Sequence, residues 1–254
     1  IHLGIIVTPP NTHYKIATLF LKNKIPFILE KPAAMNSLQV KNIKKLSLKN
    51  KTSVIVNYSD LFNNNFIKLY ESEKNLRNYV TGKFLFGKFN GNYTNLSFLP
   101  YFDWFPHILA TYFYIFKKIK KKKIITYNFF KKQNNYFEEI SMNLYFDDDK
   151  FINIKFSNLS KKKRRIIRLK TLYNLYNYDG NNIKNNFLQK NKRKKYYKDV
   201  KKTMDNIIYK LIDTYKTKKY YSNLDLSIKI HSFLDNLKKD LRYLRKKRRD
   251  GRVV

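Results

Sequence analysis

The sequence predicts an α/β fold: half of a doubly wound parallel sheet, followed by an α+β domain with a mostly antiparallel open sheet. Two observations predict it. Before residue 58, three short, continuous apolar runs alternate with two segments of helical periodicity, which is typical of a parallel sheet covered on both faces. After about residue 75, apolar and polar residues alternate instead, as in antiparallel strands with one solvated face. We therefore predict one domain over 1–72 and a second over 73–254.

The first domain is predicted to run strand, helix, strand, helix, strand. The strands are "LGIIVTPP" (3–10), "IPFILE" (25–30) and "TSVIVNY" (52–58). Between them, apolar residues recur at helical spacing, at positions 16, 19 and 20 and again at 40, 43 and 46.

The second domain is predicted to contain strands that alternate in polarity and a closing helix. "SMNLYFD" (141–147) and "FINIKFS" (151–157) alternate, and the "DDDK" between them predicts a hairpin turn. Further strand candidates are "KFLFGKF", "KIITYNFF" and "RIIRLKTL". Apolar residues spaced by four and three over 230–244 predict the helix, and 181–195 is the most loop-like segment.

Composition excludes several classes of protein. The chain is 43% hydrophobic and 17% aromatic, which is too rich in core-forming residues for a disordered protein. It contains no cysteine, so disulfides and thiolate chemistry are excluded and a reducing compartment fits. The longest apolar stretch, 105–116, is too short to span a bilayer. Only four histidines occur, widely spread, so we predict no metal site.

The net charge of +36 has two interpretations. Lysine is abundant along the whole chain, so the basic runs fit a general solvated surface. Alternatively, they form a face that binds a polyanion, and the protein is then a basic nucleic-acid binder. We favour the first interpretation and expect no nucleic-acid or membrane partner.

Two of the predicted strands end in residues suited to chemistry. Ligands of an open α/β sheet bind beyond the carboxyl ends of its strands, where "VTPP" and "LEKP" deliver Thr8 and Lys31. Pro32 fixes its own backbone and biases Lys31 away from helix, which holds the lysine at the strand end. A lysine there can hydrogen-bond a substrate hydroxyl or a cofactor ribose.

Asp103 and His107 form the second candidate pair. They are four residues apart, so a helix beginning near Phe105 would place them on one side at its start. An imidazole exchanges protons near neutral pH, which makes His107 a candidate acid or base. A structural histidine and a helix N-terminal acid are the alternatives.

These residues resemble the Gfo/Idh/MocA oxidoreductases, the glucose-fructose oxidoreductase and inositol dehydrogenase family. The resemblance rests on "GIIVTPPNTHYKIATLFLKNKIPFILEKPAA" and on "YFDWFPHILATYFYIF", which is similar to the family's Asp-Trp-Gly-Pro-His motif. It implies a Rossmann-like domain, NAD or NADP as cofactor, and a sugar-like substrate. It further implies catalytic roles for Lys31, Asp103 and His107, and cofactor binding by the residues matched in the first block, Thr8, Pro9, Pro10, His13, Glu30, Lys31 and Pro32.

The sequence also departs from the family. In the family, a glycine-rich turn follows the first strand of a sheet ordered 3-2-1-4-5-6. This sequence contains no such turn. The visible strands would then be strands 4 to 6 of an incomplete chain. Phe105 stands where the family has glycine, and Ala110 where a second aspartate often follows the histidine.

Two functions follow from the resemblance. The first is an NAD(P)-dependent oxidoreductase acting on a hydroxyl of a sugar, polyol or nucleotide sugar, cytoplasmic, and a homo-oligomer through its second-domain sheet. The second is a catalytically degenerate relative that acts as a binding or regulatory module.

Overall fold

The computed structural model describes residues 2–71, 79–87, 93–95, 99–160, 163–171, 173–190, 192–199 and 202–249. The chain divides into two compact units, the first made of residues 1–62 and 202–254 and the second of residues 63–201. The predicted fold class is confirmed, because a parallel three-stranded sheet and a mostly antiparallel eight-stranded sheet are both present.

The first unit begins with the predicted alternation of strands and helices. Its elements are β1 (Gly4–Ile6), α1 (Pro10–Lys22), β2 (Phe27–Glu30), α2 (Ser37–Lys49) and β3 (Val54–Asn57). The strands are parallel, with β2 in the centre and Ile28 in register between Ile5 and Ile55. The first three residues of β2 and of β3 are buried and apolar, as expected for strands covered on both faces, and each strand ends in a polar residue, Glu30 or Asn57.

Two carboxyl-terminal helices complete this unit, whereas the sequence assigned them to a second domain over 73–254. They are α6 (Thr203–Thr217) and α7 (Leu224–Arg249). Ile207 and Leu211 of α6 pack in one core cluster with Ile28 and Ile55 of the sheet. Helix α7 packs against α2, and its Asp235 accepts a hydrogen bond from the backbone nitrogen of Ser37 at 2.9 Å. A parallel sheet needs helices on both faces, and part of this cover comes from the far end of the chain.

The second unit is built around the eight-stranded sheet. Its helices are α3 (Asn64–Glu71), α4 (Pro100–Asp103) and α5 (Phe105–Phe116). Its strands lie in the order β11-β10-β9-β8-β4-β7-β6-β5, and only β4 and β7 pair in parallel. They are β4 (Tyr79–Gly87), β5 (Lys121–Lys132), β6 (Asn135–Tyr145), β7 (Phe151–Ser157), β8 (Arg164–Thr171), β9 (Asn174–Asp179), β10 (Phe187–Lys190) and β11 (Arg193–Tyr196).

Most strands of this sheet match the predictions, but the segment 181–195 does not. The "DDDK" hairpin joins β6 and β7, and the nitrogen of Phe146 donates to the carbonyl of Lys150 at 3.1 Å. The segment read as loop contains a 3-10 turn at 183–185, β10 and part of β11. Strand β11 is exposed throughout and has no polarity alternation, so it has no sequence signal, and its pairing with β10 rests on the backbone.

Helix α5 lies at the centre of the second unit's core. Ten of its residues are buried, which is typical of a helix covered on all sides. It packs against inward-facing side chains of the sheet, as shown by the stacked rings of Phe105 and Phe156, whose centroids are 4.6 Å apart. None of the helices in the described ranges is long and apolar enough to cross a membrane.

Helix α7 carries a titratable side chain inside the first unit. His231 is 0% exposed, and burial lowers its pKa from 6.5 to about 4, although Asp235 opposes the shift. The folded-state pKa lies below the unfolded value, so the unfolded state binds a proton first as the pH falls through this window. His231 therefore stabilises the fold fully above about pH 6.5, and this contribution is lost toward about pH 4.

We expect His231→Leu to flatten the pH dependence of stability. Between about pH 7 and pH 4.5 the wild-type chain should lose about 2 kcal/mol of unfolding free energy through His231, and the variant should lack this loss. Urea unfolding across this range measures it. The exposed His2 provides the control, since His2→Gln should leave the wild-type pH dependence intact. Parallel curves for wild type and His231→Leu would contradict the assignment.

Candidate active site

Lys31 and Pro32 directly follow β2, the central strand. They therefore lie at the carboxyl edge of the parallel sheet, the side where its strands end. Residues 27–29 are buried between β1 and β3, while Lys31 is half-buried directly after the last strand residue. The peptide bond between Lys31 and Pro32 is cis. Pro32, Ala33 and Ala34 are buried, so the backbone on the far side of Lys31 is fixed by packing.

Glu30 joins this edge to the neighbouring strand. It lies in register with Asn57 of β3, and its Oε1 accepts a hydrogen bond from the Asn57 side-chain nitrogen. Its Oε2 accepts from the backbone nitrogen of Lys31 at 3.3 Å. The Glu30 carboxylate thus links two strand ends and holds the peptide that carries Lys31.

His13 connects the segments that follow β1 and β2 through hydrogen bonds of its ring. Its ring is 1% exposed, with Nε2 at 2.7 Å from the carbonyl oxygen of Thr8 and Nδ1 at 2.9 Å from that of Pro32. Carbonyl oxygens only accept, so a neutral His13 donates to one of them and an imidazolium to both. Both ring nitrogens face the backbone, so His13 positions the ends of β1 and β2.

Thr8, Pro9 and Pro10 connect β1 to α1. Thr8 and Pro9 are exposed, and the Thr12 hydroxyl donates to the Thr8 hydroxyl oxygen at 2.7 Å. Helix α1 begins at Pro10, a favoured first helical residue because its missing N–H would have no partner within the helix. The structure therefore brings the seven candidate residues of the first unit to one edge of its sheet.

The Asp103–His107 pair lies in the second unit, and helix α5 begins at Phe105 as predicted. The Oδ2 atom of Asp103 accepts a hydrogen bond from the Tyr93 hydroxyl at 2.7 Å. Burial, followed by the nearby Asp103 carboxylate, raises the pKa of Tyr93 far above its ordinary value. His107 is buried at 9% exposure, and its Nδ1 lies 3.1 Å from Nη2 of Arg165.

Sequence reasoning missed Glu138, which supports this pair. Its side chain is 0% exposed and accepts from the backbone nitrogen of Tyr101 at 3.0 Å and from the Tyr127 hydroxyl at 3.3 Å. It thereby anchors the first turn of α4, which carries Asp103. The sequence did contain a signal for Glu138. Side chains alternate between the two faces of a strand, and Glu138 falls on the same buried face of β6 as Ile140 and Met142.

Two departures from the family motif lie inside the core. Phe105 is 0% exposed against Phe156, and Ala110 is 1% exposed within α5.

Within the described residues, no group of three or more metal-ligating side chains could hold a metal ion.

Comparison with known proteins agrees with the geometry of the first unit. Residues 1–58 match the Gfo/Idh/MocA family model, described as an oxidoreductase family with an NAD-binding Rossmann fold. The resemblance found in the sequence is thereby confirmed for its first block, which ends at Ala34. All seven candidate residues at the sheet edge lie inside the matched segment, whereas Asp103 and His107 lie outside it. No curated protein sequence matches the chain significantly.

Solved structures share the fold across nearly the whole chain. A dehydrogenase from Clostridium difficile is 16% identical, with a TM-score of 0.77 over 94% of this chain and 79% of its own. Biliverdin reductase from Synechocystis, bound to biliverdin and NADP+, is 14% identical, with a TM-score of 0.76 over 94% and 79%. UDP-N-acetylglucosamine 3-dehydrogenase from Acidithiobacillus ferrooxidans is 11% identical, with a TM-score of 0.76 over 93% and 77%. At these identities the likeness concerns the fold alone.

The edge residues of this NAD-binding family segment suit only part of a dinucleotide. Lys31 and the exposed Thr8 offer an ammonium group and a hydroxyl, which fit a ribose or a nicotinamide carboxamide. Gly4, the glycine in the described part of the first unit, instead packs on α1, since a Cβ there would lie 2.1 Å from Cε2 of Phe20. It is therefore a packing glycine, and the described residues of the first unit contain no glycine-rich phosphate cradle.

Proposed function

We propose that the chain belongs to an NAD(P)-dependent oxidoreductase that oxidises a hydroxyl group of a sugar, polyol or nucleotide sugar. The observation that carries the proposal is the family match over 1–58, with Lys31 held at the carboxyl edge of β2. A nucleotide-sugar dehydrogenase among the structures of the same fold supports this substrate class. The cofactor proposed is NAD or NADP, and one structure of the same fold holds NADP+.

In this proposal the residues of the chain position the substrate and move a proton. A bound nicotinamide would supply the hydride acceptor for the substrate carbon. Lys31 hydrogen-bonds the reacting hydroxyl and, in its neutral form, takes its proton, so an alcohol becomes a carbonyl. Glu30 and His13 fix the backbone on either side of Lys31. We infer from the family resemblance that His107 and Asp103 are catalytic residues contributed by the second unit.

We also propose that a segment outside these 254 residues completes the dinucleotide site. The exposed apolar residues on and beside β1 support this, since Ile5 and Val7 are 48% and 64% exposed. An apolar edge strand of this kind is suited to pairing with a further strand. A strand, glycine-rich turn and helix in that segment would supply the phosphate cradle.

The open face of the second unit's sheet supports a homo-oligomer as the working form. This face carries mixed polar pairs, including Lys155 and Glu139 with 3.0 Å between Nζ and Oε1. It also carries partly exposed apolar residues such as Phe151. A cytoplasmic location fits a chain without cysteine.

The test compares the 254-residue chain with the product of the whole reading frame that contains it. We expect the longer form to bind NAD(H) or NADP(H), and to reduce NAD+ or NADP+ when a panel of sugars, polyols and nucleotide sugars is supplied. The 254-residue form should bind no dinucleotide, as measured by quenching of NADH fluorescence. Tight NADH binding by the shorter form would contradict the proposed completion of the site.

A catalytically inactive relative is the second candidate, and Phe105 and Ala110 favour it. Both are buried where the family motif has glycine and a second aspartate. This candidate expects the longer form to bind nicotinamide cofactor without oxidising any member of the panel. Turnover of any panel member would dismiss it.

A further inference from the structure

The side chain of Arg165 contacts the ring of His107. Arg165 lies on β8 with the same parity as the buried Ile167 and Leu169, so its side chain is on the face that packs against α5. Its Nη2 lies 3.1 Å from Nδ1 of His107. A guanidinium is always protonated and only donates, so Nδ1 must be the acceptor and carries no proton. In neutral His107 the single proton therefore lies on Nε2.

Gly180 makes room for this contact. The residue follows β9, and its nitrogen donates to the carbonyl of Arg165 at 2.8 Å, so the two backbones are adjacent. A Cβ on residue 180 would lie 2.7 Å from Cδ and 3.0 Å from Cγ of Arg165. The aliphatic stem of Arg165 thus runs directly over Gly180, where any larger residue would displace it.

We propose that Arg165 is a positioning residue that keeps His107 as a hydrogen-bond donor through Nε2. This inference rests on the proposed function and changes the role that the sequence assigned to His107. With Nδ1 occupied by a donor and Nε2 already protonated, His107 cannot accept the hydroxyl proton of the substrate. It can donate a hydrogen bond to the substrate oxygen, and the proton must go to another group.

Nuclear magnetic resonance of the chain labelled with 15N-histidine and 15N-arginine tests the proposal without substrate or cofactor. Only four histidines occur, so His107→Gln identifies the resonances of His107. We expect a non-protonated Nδ1, a protonated Nε2, and a coupling across the hydrogen bond between Nδ1 and the Arg165 side chain. A protonated Nδ1 in the wild-type chain would overturn the proposal.

Variants then separate positioning from folding. In Arg165→Leu we expect the coupling to disappear and Nδ1 to take up a proton about one pH unit higher than in the wild type, because the neighbouring cation is gone. Arg165→Lys retains a cationic donor and should restore part of the wild-type behaviour. Unchanged titration of His107 in Arg165→Leu would overturn the proposal.

Two further variants provide a second test and a matched control. Gly180→Ala leaves Arg165 in the chain but displaces its stem, so it should weaken the coupling even if Arg165→Leu fails to fold. Arg168→Leu is the matched control, since Arg168 has the opposite parity on β8 and its Nε donates to Asn177 at 2.8 Å. It should leave His107 unchanged. If no panel substrate is oxidised, the proposed function fails while these spectra still decide the role of Arg165.

Discussion

Lys31→Ala is expected to abolish hydroxyl oxidation by the complete polypeptide. A positioned proton acceptor contributes about 10²- to 10⁴-fold to the rate of such a step, so we expect kcat to fall about 1,000-fold. Because Lys31 is half-buried at a strand end and does not belong to the core, the unfolding free energy should stay within about 0.5 kcal/mol of wild type. Steady-state NAD(P)H formation and urea unfolding of the same preparations measure both effects.

Two companion variants make the Lys31 experiment specific. Lys22→Ala removes another lysine of the first unit, exposed at the end of α1, and should leave kcat unchanged. Lys31→Arg keeps the positive charge but cannot release its proton at accessible pH, so it should be nearly as inactive as Lys31→Ala. Full activity in Lys31→Arg would show that charge alone matters, and full activity in Lys31→Ala would remove Lys31 from the chemistry.

The sheet-edge part of the candidate site could be predicted because its signals are local. Parallel strands place their carboxyl ends at one edge, so "VTPP" and "LEKP" are brought together by topology alone. His13 illustrates the limit of such local reasoning. The family resemblance implies cofactor binding by His13, and a helix-capping or packing role is the alternative. Its ring nitrogens lie against the carbonyls of Thr8 and Pro32, which are 5 and 19 residues away, and the sequence alone does not show these partners.

The parts that sequence could not predict depend on contacts between distant residues. Helices α6 and α7 have clear helical periodicity, but nothing in that pattern states which sheet they cover. Glu138 and Arg165 carry a weaker signal, since each is a charged residue at an inward position of an alternating strand. Buried charge is costly, so such a residue must have partners and marks a constrained site. The alternation along the strand therefore identifies the buried charged residue, while its hydrogen-bond partner can be identified only from the fold.

Phe105→Ala is expected to destabilise the chain by about 4 kcal/mol, since deleting a fully buried phenylalanine removes its transfer free energy and leaves a cavity. Phe105 is 0% exposed and stacks on Phe156 with centroids 4.6 Å apart. Phe130→Ala is the matched control, because Phe130 also stacks, on Phe137 at 5.0 Å, but is 44% exposed. Its loss should cost only about 1 kcal/mol. Urea unfolding compares the two, and equal effects would contradict burial as the cause.

The position of the Phe105 ring decides whether the altered motif still allows chemistry. A phenylalanine in place of glycine would block a substrate if its ring entered the pocket, but a ring that fills the core leaves the space beside His107 unchanged. We therefore expect Phe105→Gly to lower stability at least as much as Phe105→Ala without raising turnover. A rise in turnover on removing the ring would instead show that Phe105 obstructs the site and would favour the degenerate relative. The same variant thus separates a residue that only packs from one that has closed an active site.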